Sequence, residues 1–249
     1  VNSDRYTAIA HRGMPFMNPM GERSIASLLD ILALRRGANV ADFGAGTCEL
    51  AIRLGERSAV HAECVELSPE IARRARERVA ARLPGGGVRV HEGDAGHFKA
   101  TVPPASFDLT VCIGSTHALG GFPHAVEVML RLTRPGGWVL LGEGYWKRTP
   151  PPAYLAGTGI GESEFTHLVD MVEFVGGRGL SVAWVHTASE HDWDDYEWAH
   201  HRNIEDWARD NPHDPDHAAF LTRSRTWRRW YLDSGRDTLG FALMLFRRG

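Results

Sequence analysis

The chain has 249 residues, a formal net charge of -3 and 43% hydrophobic residues, which fits one large domain or one domain with an insertion and a sizeable core. That charge gives no electrostatic reason to expect a nucleic-acid partner. No apolar run approaches the ~18 residues that a membrane-spanning helix needs.

The first predicted helix covers residues 23–34, with Ile25, Leu28, Leu29 and Leu32 on one stripe. A short buried strand follows at 39–43, a turn at 44–48, and a helix from 49. Residues 61–67 read as the second strand. Residues 69–83 read as a helix with Ser68 as its N-cap and Pro69 in its first position. Its run of arginines from Arg73 to Arg82 is spaced as a solvated helix face. Strands are predicted at 88–91, 107–113 and 138–142, the last after the turn Arg134-Pro-Gly-Gly137, with a helix at 122–132 between. Alternating strands and helices imply a parallel sheet with helices on both faces. After a proline-rich connector at 149–152, a helix is expected at 164–175, a strand at 180–186 and a last strand at 238–246. Residues 187–237 between those strands are rich in aromatics at helical spacing, Tyr196, His200, Ile204 and Trp207 among them.

The strongest local signal is Val40-Ala-Asp-Phe-Gly-Ala-Gly-Thr-Cys-Glu49. Gly44 and Gly46 turn the chain from strand to helix, and glycine lets the backbone pass a ligand closely because no Cβ intervenes. Many α/β folds use such a turn, so it is not specific alone. Glu66, at the end of the next strand, suits both hydroxyls of a ribose, and equally suits a helix N-terminus. Asp94, in Gly93-Asp-Ala95 after the third strand, suits an adenine amino group, or a turn. Asp108 enters the fourth strand as a fourth element of the set. In this order and at these spacings the four are far more specific together than singly.

Residues 38–142 resemble the Rossmann-like class I methyltransferases that use S-adenosylmethionine. Asp42-x-Gly44-x-Gly46 is similar to that family's first motif, Glu66 to its ribose-binding acid, and Asp94-Ala95 to its adenine motif. Phe107 to Ser115 is similar to its fourth-strand motif, and Leu132-x-Arg-Pro-Gly-Gly-Trp138 to its turn into strand five. His11-Arg-x-x-Pro-Phe-x-Asn-Pro19, Ile113-Gly-x-Thr-His-Ala118 and Gly142-Glu-x-Tyr-Trp146 narrow the likeness to a bacterial subgroup of undefined substrate, over nearly the whole chain. The resemblance implies an α/β, Rossmann-like doubly wound sheet, mostly parallel with an antiparallel last strand, plus a helical insertion. The core would comprise 1–186, with its N-terminal arm, and 238–249. Residues 187–237 would form a helical lid over the acceptor side. It also implies a methyltransferase acting on a small-molecule acceptor, with S-adenosylhomocysteine as product. The cofactor residues would be Asp42, Gly44, Ala45, Gly46, Glu66, Leu67, Asp94, Ala95, Ile113 and Gly114. Cys48 stands where the family has a third glycine; that position is read as lying inside the helix, where a small side chain fits.

Ligands of open α/β sheets bind beyond the carboxyl ends of the strands. This puts residues 113–121, 143–146 and the N-terminal arm around the transferable methyl. His117 is the first candidate base, since imidazole titrates near neutrality, although a loop histidine can simply order the backbone. Glu143 and Tyr145 are further catalytic candidates, and His11 and Arg12 are candidates to close over the cofactor. Among His191, Asp194, Glu197, His200 and His201, only Glu197 and His201 have an i, i+4 spacing; a solvated helix face is expected there, and no metal. Trp193, Tyr196 and Trp198 are candidates to line an acceptor pocket, although aromatic stripes usually form core. Two other readings remain open: a catalytically silent cofactor-binding protein, and a nicotinamide-dependent oxidoreductase, which the missing last glycine of the dinucleotide fingerprint disfavours. Cys48, Cys64 and Cys112 are too few for a disulfide framework. With no basic-then-apolar leader at the start, a cytoplasmic location is expected, with no membrane or nucleic-acid partner and the oligomeric state open.

Overall fold

The computed structural model describes residues 2–249. In chain order the elements begin α1 (Ser3–Ala10), α2 (Glu22–Leu32), β1 (Asn39–Phe43), α3 (Glu49–Ser58), β2 (His61–Glu66) and α4 (Pro69–Arg82). Next come β3 (Val88–Glu92), α5 (Ala95–Thr101), β4 (Phe107–Ile113), α6 (Phe122–Leu132) and β5 (Thr133–Trp146). The rest are α7 (Pro152–Thr158), α8 (Leu168–Gly176), β6 (Leu180–Thr187), α9 (Glu190–Asp210), α10 (His217–Trp230) and β7 (Leu239–Arg248).

The seven strands lie in the order β3-β2-β1-β4-β5-β7-β6. β1 pairs in parallel with β2 and β4, β2 with β3, and β4 with β5. β7 runs the other way. Lys147 N–H, just past β5, donates to the Thr238 carbonyl just before β7, while Arg248 at the far end of β7 reaches the Leu130 and Thr133 carbonyls where β5 begins. The sheet is therefore mostly parallel with an antiparallel last strand, a Rossmann-like arrangement. The sequence explains the order of burial. Phe107-Asp-Leu-Thr-Val-Cys-Ile113 is buried along its whole length, as a strand covered on both faces must be. The edge strand β3, Val-Arg-Val-His-Glu, is partly exposed.

The chain forms two compact units. The first holds residues 21–143, 169–186 and 242–249, and therefore the glycine turn and most of the sheet. The second holds residues up to Met20, 144–168 and 187–241. In the second, α1, α9 and α10 share an apolar core of Tyr6, Ile9, Ala10, Ile204, Trp207, Ala208 and Phe220. Arg5 of α1 binds Asp214 and Asp216 beyond α9, so the N-terminal arm is a fixed helix.

Three expectations change. The helix read from residue 164 starts at Leu168, because Trp146 N–H donates to Thr166 O and its carbonyl bonds the His167 ring, which ties 166–167 to the end of β5. The turn at 134–137 is absorbed into β5 through a register irregularity opposite Phe107–Leu109. Ser68 occupies the N-cap of α4, but its hydroxyl makes no capping bond; the Glu66 carboxylate takes the Ser68 N–H instead.

Candidate cofactor site at the carboxyl ends of the strands

The chain leaves β1 through Gly44 and Ala45, whose N–H groups both donate to Val65 O at 2.9 and 3.0 Å. Gly44 has φ +70°, and a Cβ there would lie 2.3 Å from Ser115 Cβ. Ser115 in turn donates to Phe43 O at 2.6 Å. The loop after β4 is thus seated on the turn after β1, and glycine is required by both conformation and space. Gly46 N–H donates to Glu66 Oε2 at 3.0 Å and Ser68 N–H to Oε1 at 2.8 Å. Both oxygens are oriented by backbone donors.

Asp42 is 5% exposed and forms no ion pair among the described residues. Burial first, and the neighbouring Glu66 charge second, push its carboxyl up to about 7. The end of β1 therefore carries a buried acid with no ion pair among the described residues, beside the carboxylate of Glu66 at the end of β2. Asp94 caps α5, its Oδ1 accepting His97 N–H at 3.0 Å. Ala95 is buried beneath it, and Leu67 presents an apolar surface that is 66% exposed. Ile113 is buried, and Gly114 N–H donates to Gly142 O at 2.7 Å.

Two sequence readings are corrected here. Cys48 is not inside α3 but precedes it as the N-cap, fully buried with φ +59°, the left-handed region that favours glycine. Its hydrogen bond to Cys64, together with burial, pushes the Cys64 thiol well up. Asp108 does not belong with the other acids. It is the second residue of β4, at the amino end of the sheet, where it accepts Asn39 N–H at 2.8 Å and pairs with Arg35 and Arg134.

His117 lies exposed in the turn Thr116–Leu119 directly after β4. Glu143, at the end of β5, accepts from Thr116 Oγ1 of that turn, a partner that sequence reasoning did not single out. Tyr145 belongs to the second unit. It is buried, bonded to Thr187 and packed where a Cβ on Gly240 would meet its ring at 2.3 Å; burial raises its phenol.

In the second unit, the face of α9 expected to be solvated is buried. Glu197 is 1% and His201 3% exposed. Glu197 accepts Trp227 Nε1–H at 2.8 Å, and burial pushes its carboxyl up to about 7. His201 bonds Ser224 at 2.8 Å, and burial holds His200 down at about 3 and His201 at about 4. The signal was present in the sequence: Trp193, Glu197, Ile204 and Ala208 share one helical stripe. His11 is held between Thr7 O and the Tyr196 hydroxyl, both at 2.9 Å. Asn203 fastens the Ala10 and Arg12 carbonyls. Trp193 is buried, whereas Trp198 is 41% exposed.

Residues 40–137 match the family described as "Methyltransferase domain". Over 230 residues, 91% of each protein, the chain is 27% identical to the uncharacterized protein YjhP of Escherichia coli K12. It superposes with a TM-score of 0.89, at 24% identity and over 98% of each chain, on a SAM-dependent methyltransferase from Geobacter sulfurreducens solved with S-adenosyl-L-homocysteine. A SAM-dependent methyltransferase from Thiobacillus denitrificans, also solved with that nucleoside, gives 0.88 at 24% identity over 98% of each chain. The fold is that of the class I S-adenosylmethionine-dependent methyltransferases. Over nearly its whole length the chain is similar to YjhP.

Proposed function

We propose that this protein is a methyltransferase that uses S-adenosylmethionine to methylate a small-molecule acceptor. One observation carries the reading. Asp42 and Glu66 stand beside a glycine turn with no basic side chain paired to Asp42, and burial raises the Asp42 carboxyl to about 7. A cationic nucleoside answers that deficit, since a sulfonium or ammonium favours the ionised acid. Glu66 would hold the ribose hydroxyls, Asp94 and Ala95 the adenine edge, and Leu67 an adenine face. The 44–46 backbone, Ile113 and Gly114 would line the methionine side. The bound cofactor supplies an electrophilic methyl group.

The chain's own residues then have two tasks, alignment of the acceptor and removal of its proton. His117 is the proposed base, exposed at a strand end; Glu143, oriented by Thr116, and Tyr145 are the proposed orienting groups. Residues 187–237, whose α9 and α10 share an apolar core with α1, are proposed to help hold the acceptor.

Calorimetric titration with S-adenosylhomocysteine, using NADH as control, tests the cofactor. Saturable binding of the first alone is expected, and at ~100 times its Kd it should add ~2.7 kcal/mol to stability. Binding of NADH instead, or of neither, overturns the reading. Labelled S-adenosylmethionine supplied with pooled small metabolites tests turnover. Binding without any transfer in that assay would favour a silent cofactor-binding protein. Once an acceptor is found, Trp193→Ala and Tyr196→Ala should lower turnover and leave nucleoside affinity unchanged.

A further inference from the structure

The amino end of the sheet carries a cavity of about 350 Å³ that the methyl-transfer reading does not use. It lies where α2 ends and β4 and β5 begin, beside Arg247 near the end of β7. The cofactor turn is at the opposite end of β1, and five strand residues separate the two by about 17 Å. A cavity of this size suits one small ligand.

Its walls are apolar. Ile31 and Leu32 come from the end of α2, Leu34 from the loop just past it and Trp138 from β5. Ile31 is 37% exposed, so part of its side chain is open to a ligand. Its charges are unbalanced. Arg35, Arg134 and Arg247 all line it, against the single carboxylate of Asp108. Asp108 is buried and already engaged by Asn39 N–H, Arg35 and Arg134. Those bonds fix two guanidinium groups at the rim and leave them further N–H donors, since each has five. The Arg247 guanidinium carbon lies 4.2 Å from the Trp138 ring centroid, and Arg247 has no carboxylate partner among the described residues. A cationic ligand would meet this excess positive charge, and a neutral one would gain nothing from it.

We propose that this cavity binds a small organic anion with an apolar body, such as an aryl carboxylate. Its headgroup lies between Arg247 and Arg134, and its body lies against Ile31 and Trp138. Charge-assisted bonds from arginine fix the headgroup, and removal of the ring from water supplies most of the affinity.

The test is calorimetry on the full chain with 2-naphthoate as probe. 2-Naphthamide has the same body without the charge, and inorganic phosphate has a charge without the body. Saturable one-to-one binding of 2-naphthoate is expected, about tenfold tighter than either control. Arg247→Ala should weaken it about tenfold, and Ile31→Glu, which places an acid at the mouth, should abolish it. Affinity for S-adenosylhomocysteine should stay within about twofold in both variants, which also shows that they are folded. No saturable 2-naphthoate binding overturns the proposal, as does equal binding of the amide, an unaffected Arg247→Ala variant, or competition with S-adenosylhomocysteine. Because the nucleoside is titrated separately, failure here is distinguishable from failure of the methyltransferase reading.

Discussion

Asp42 and Asp108 stand on the neighbouring strands β1 and β4, and both are about 95% buried (5% and 4% exposed). Their surroundings are opposite. Asp108 is met by a backbone N–H and two guanidinium groups, whereas Asp42 has no ion pair among the described residues and lies near a second acid, Glu66. Burying a charge is costly unless it is paired. The compensated acid is therefore part of the framework, and the uncompensated one is poised for a positive partner from outside. From sequence the two looked alike, each an aspartate in a short apolar strand. What separates them is which end of the sheet they occupy.

The largest effect expected from breaking this contrast is at the framework end. Asp108→Ala leaves Asn39 N–H and two arginines without their acceptor. The arginines are half exposed, so the loss is about 2–3 kcal/mol, below that of a fully buried pair. The midpoint of thermal unfolding should fall by about 5–10 °C, with S-adenosylhomocysteine affinity unchanged. A normal midpoint would show that the Asp108 bonds contribute little. Next comes Gly44→Ala. The left-handed φ and the 2.3 Å approach to Ser115 Cβ should destabilise the turn by about 2 kcal/mol and weaken S-adenosylhomocysteine at least tenfold. Ser115→Gly added to it should restore part of that affinity; no recovery would mean that the two loops are not coupled.

These cases show what the sequence made legible. The succession of strands along the chain, the glycine turn, the position of Glu66 and α6 could be read because each follows from a local rule: period, glycine conformation, or charge at a strand end. The course of α1, the late start of α8 and the partner of His201 depend on long-range contacts: Asp214, Trp146 and Ser224 lie 209, 21 and 23 positions away from Arg5, His167 and His201, the residues they hold. Spacing within a window does not report such partners. Asp108, read as the fourth element of the motif set, lies apart from the other three for the same reason, because its position in the motif says nothing of Arg35 and Arg134.

The pH dependence of cofactor affinity sharpens the contrast from the ligand end. The folded protein holds the Asp42 proton up to about pH 7, while an unfolded aspartate loses it near its ordinary value of 3.8. A raised acid of this kind makes the ligand-free fold lose stability as pH rises through that window. A cationic ligand favours the ionised form, so S-adenosylmethionine should bind about fivefold more tightly at pH 7 than at pH 6. Asp42→Asn should flatten that profile. Titration calorimetry at the two pH values measures it, and an equal slope in the variant would assign the effect to another group.

The smallest effect concerns Cys48, and there the sign matters more than the size. If the residue lay inside α3, glycine would be worse than alanine by about 1 kcal/mol, because glycine has the greater conformational entropy to lose. The structure instead puts it at the N-cap with φ +59°, where alanine keeps a left-handed penalty of about 1 kcal/mol and glycine does not. Both substitutions lose the same buried thiol and its bond to Cys64, so that loss cancels between them. The extra freedom of unfolded glycine, about 0.4–1 kcal/mol, offsets part of the relief. Cys48→Gly should therefore be as stable as Cys48→Ala or up to about 0.5 kcal/mol more stable, both below wild type, with S-adenosylhomocysteine affinity changed by less than about twofold. Urea unfolding of the two variants side by side resolves the sign. A glycine variant clearly less stable than the alanine one would return Cys48 to the helix.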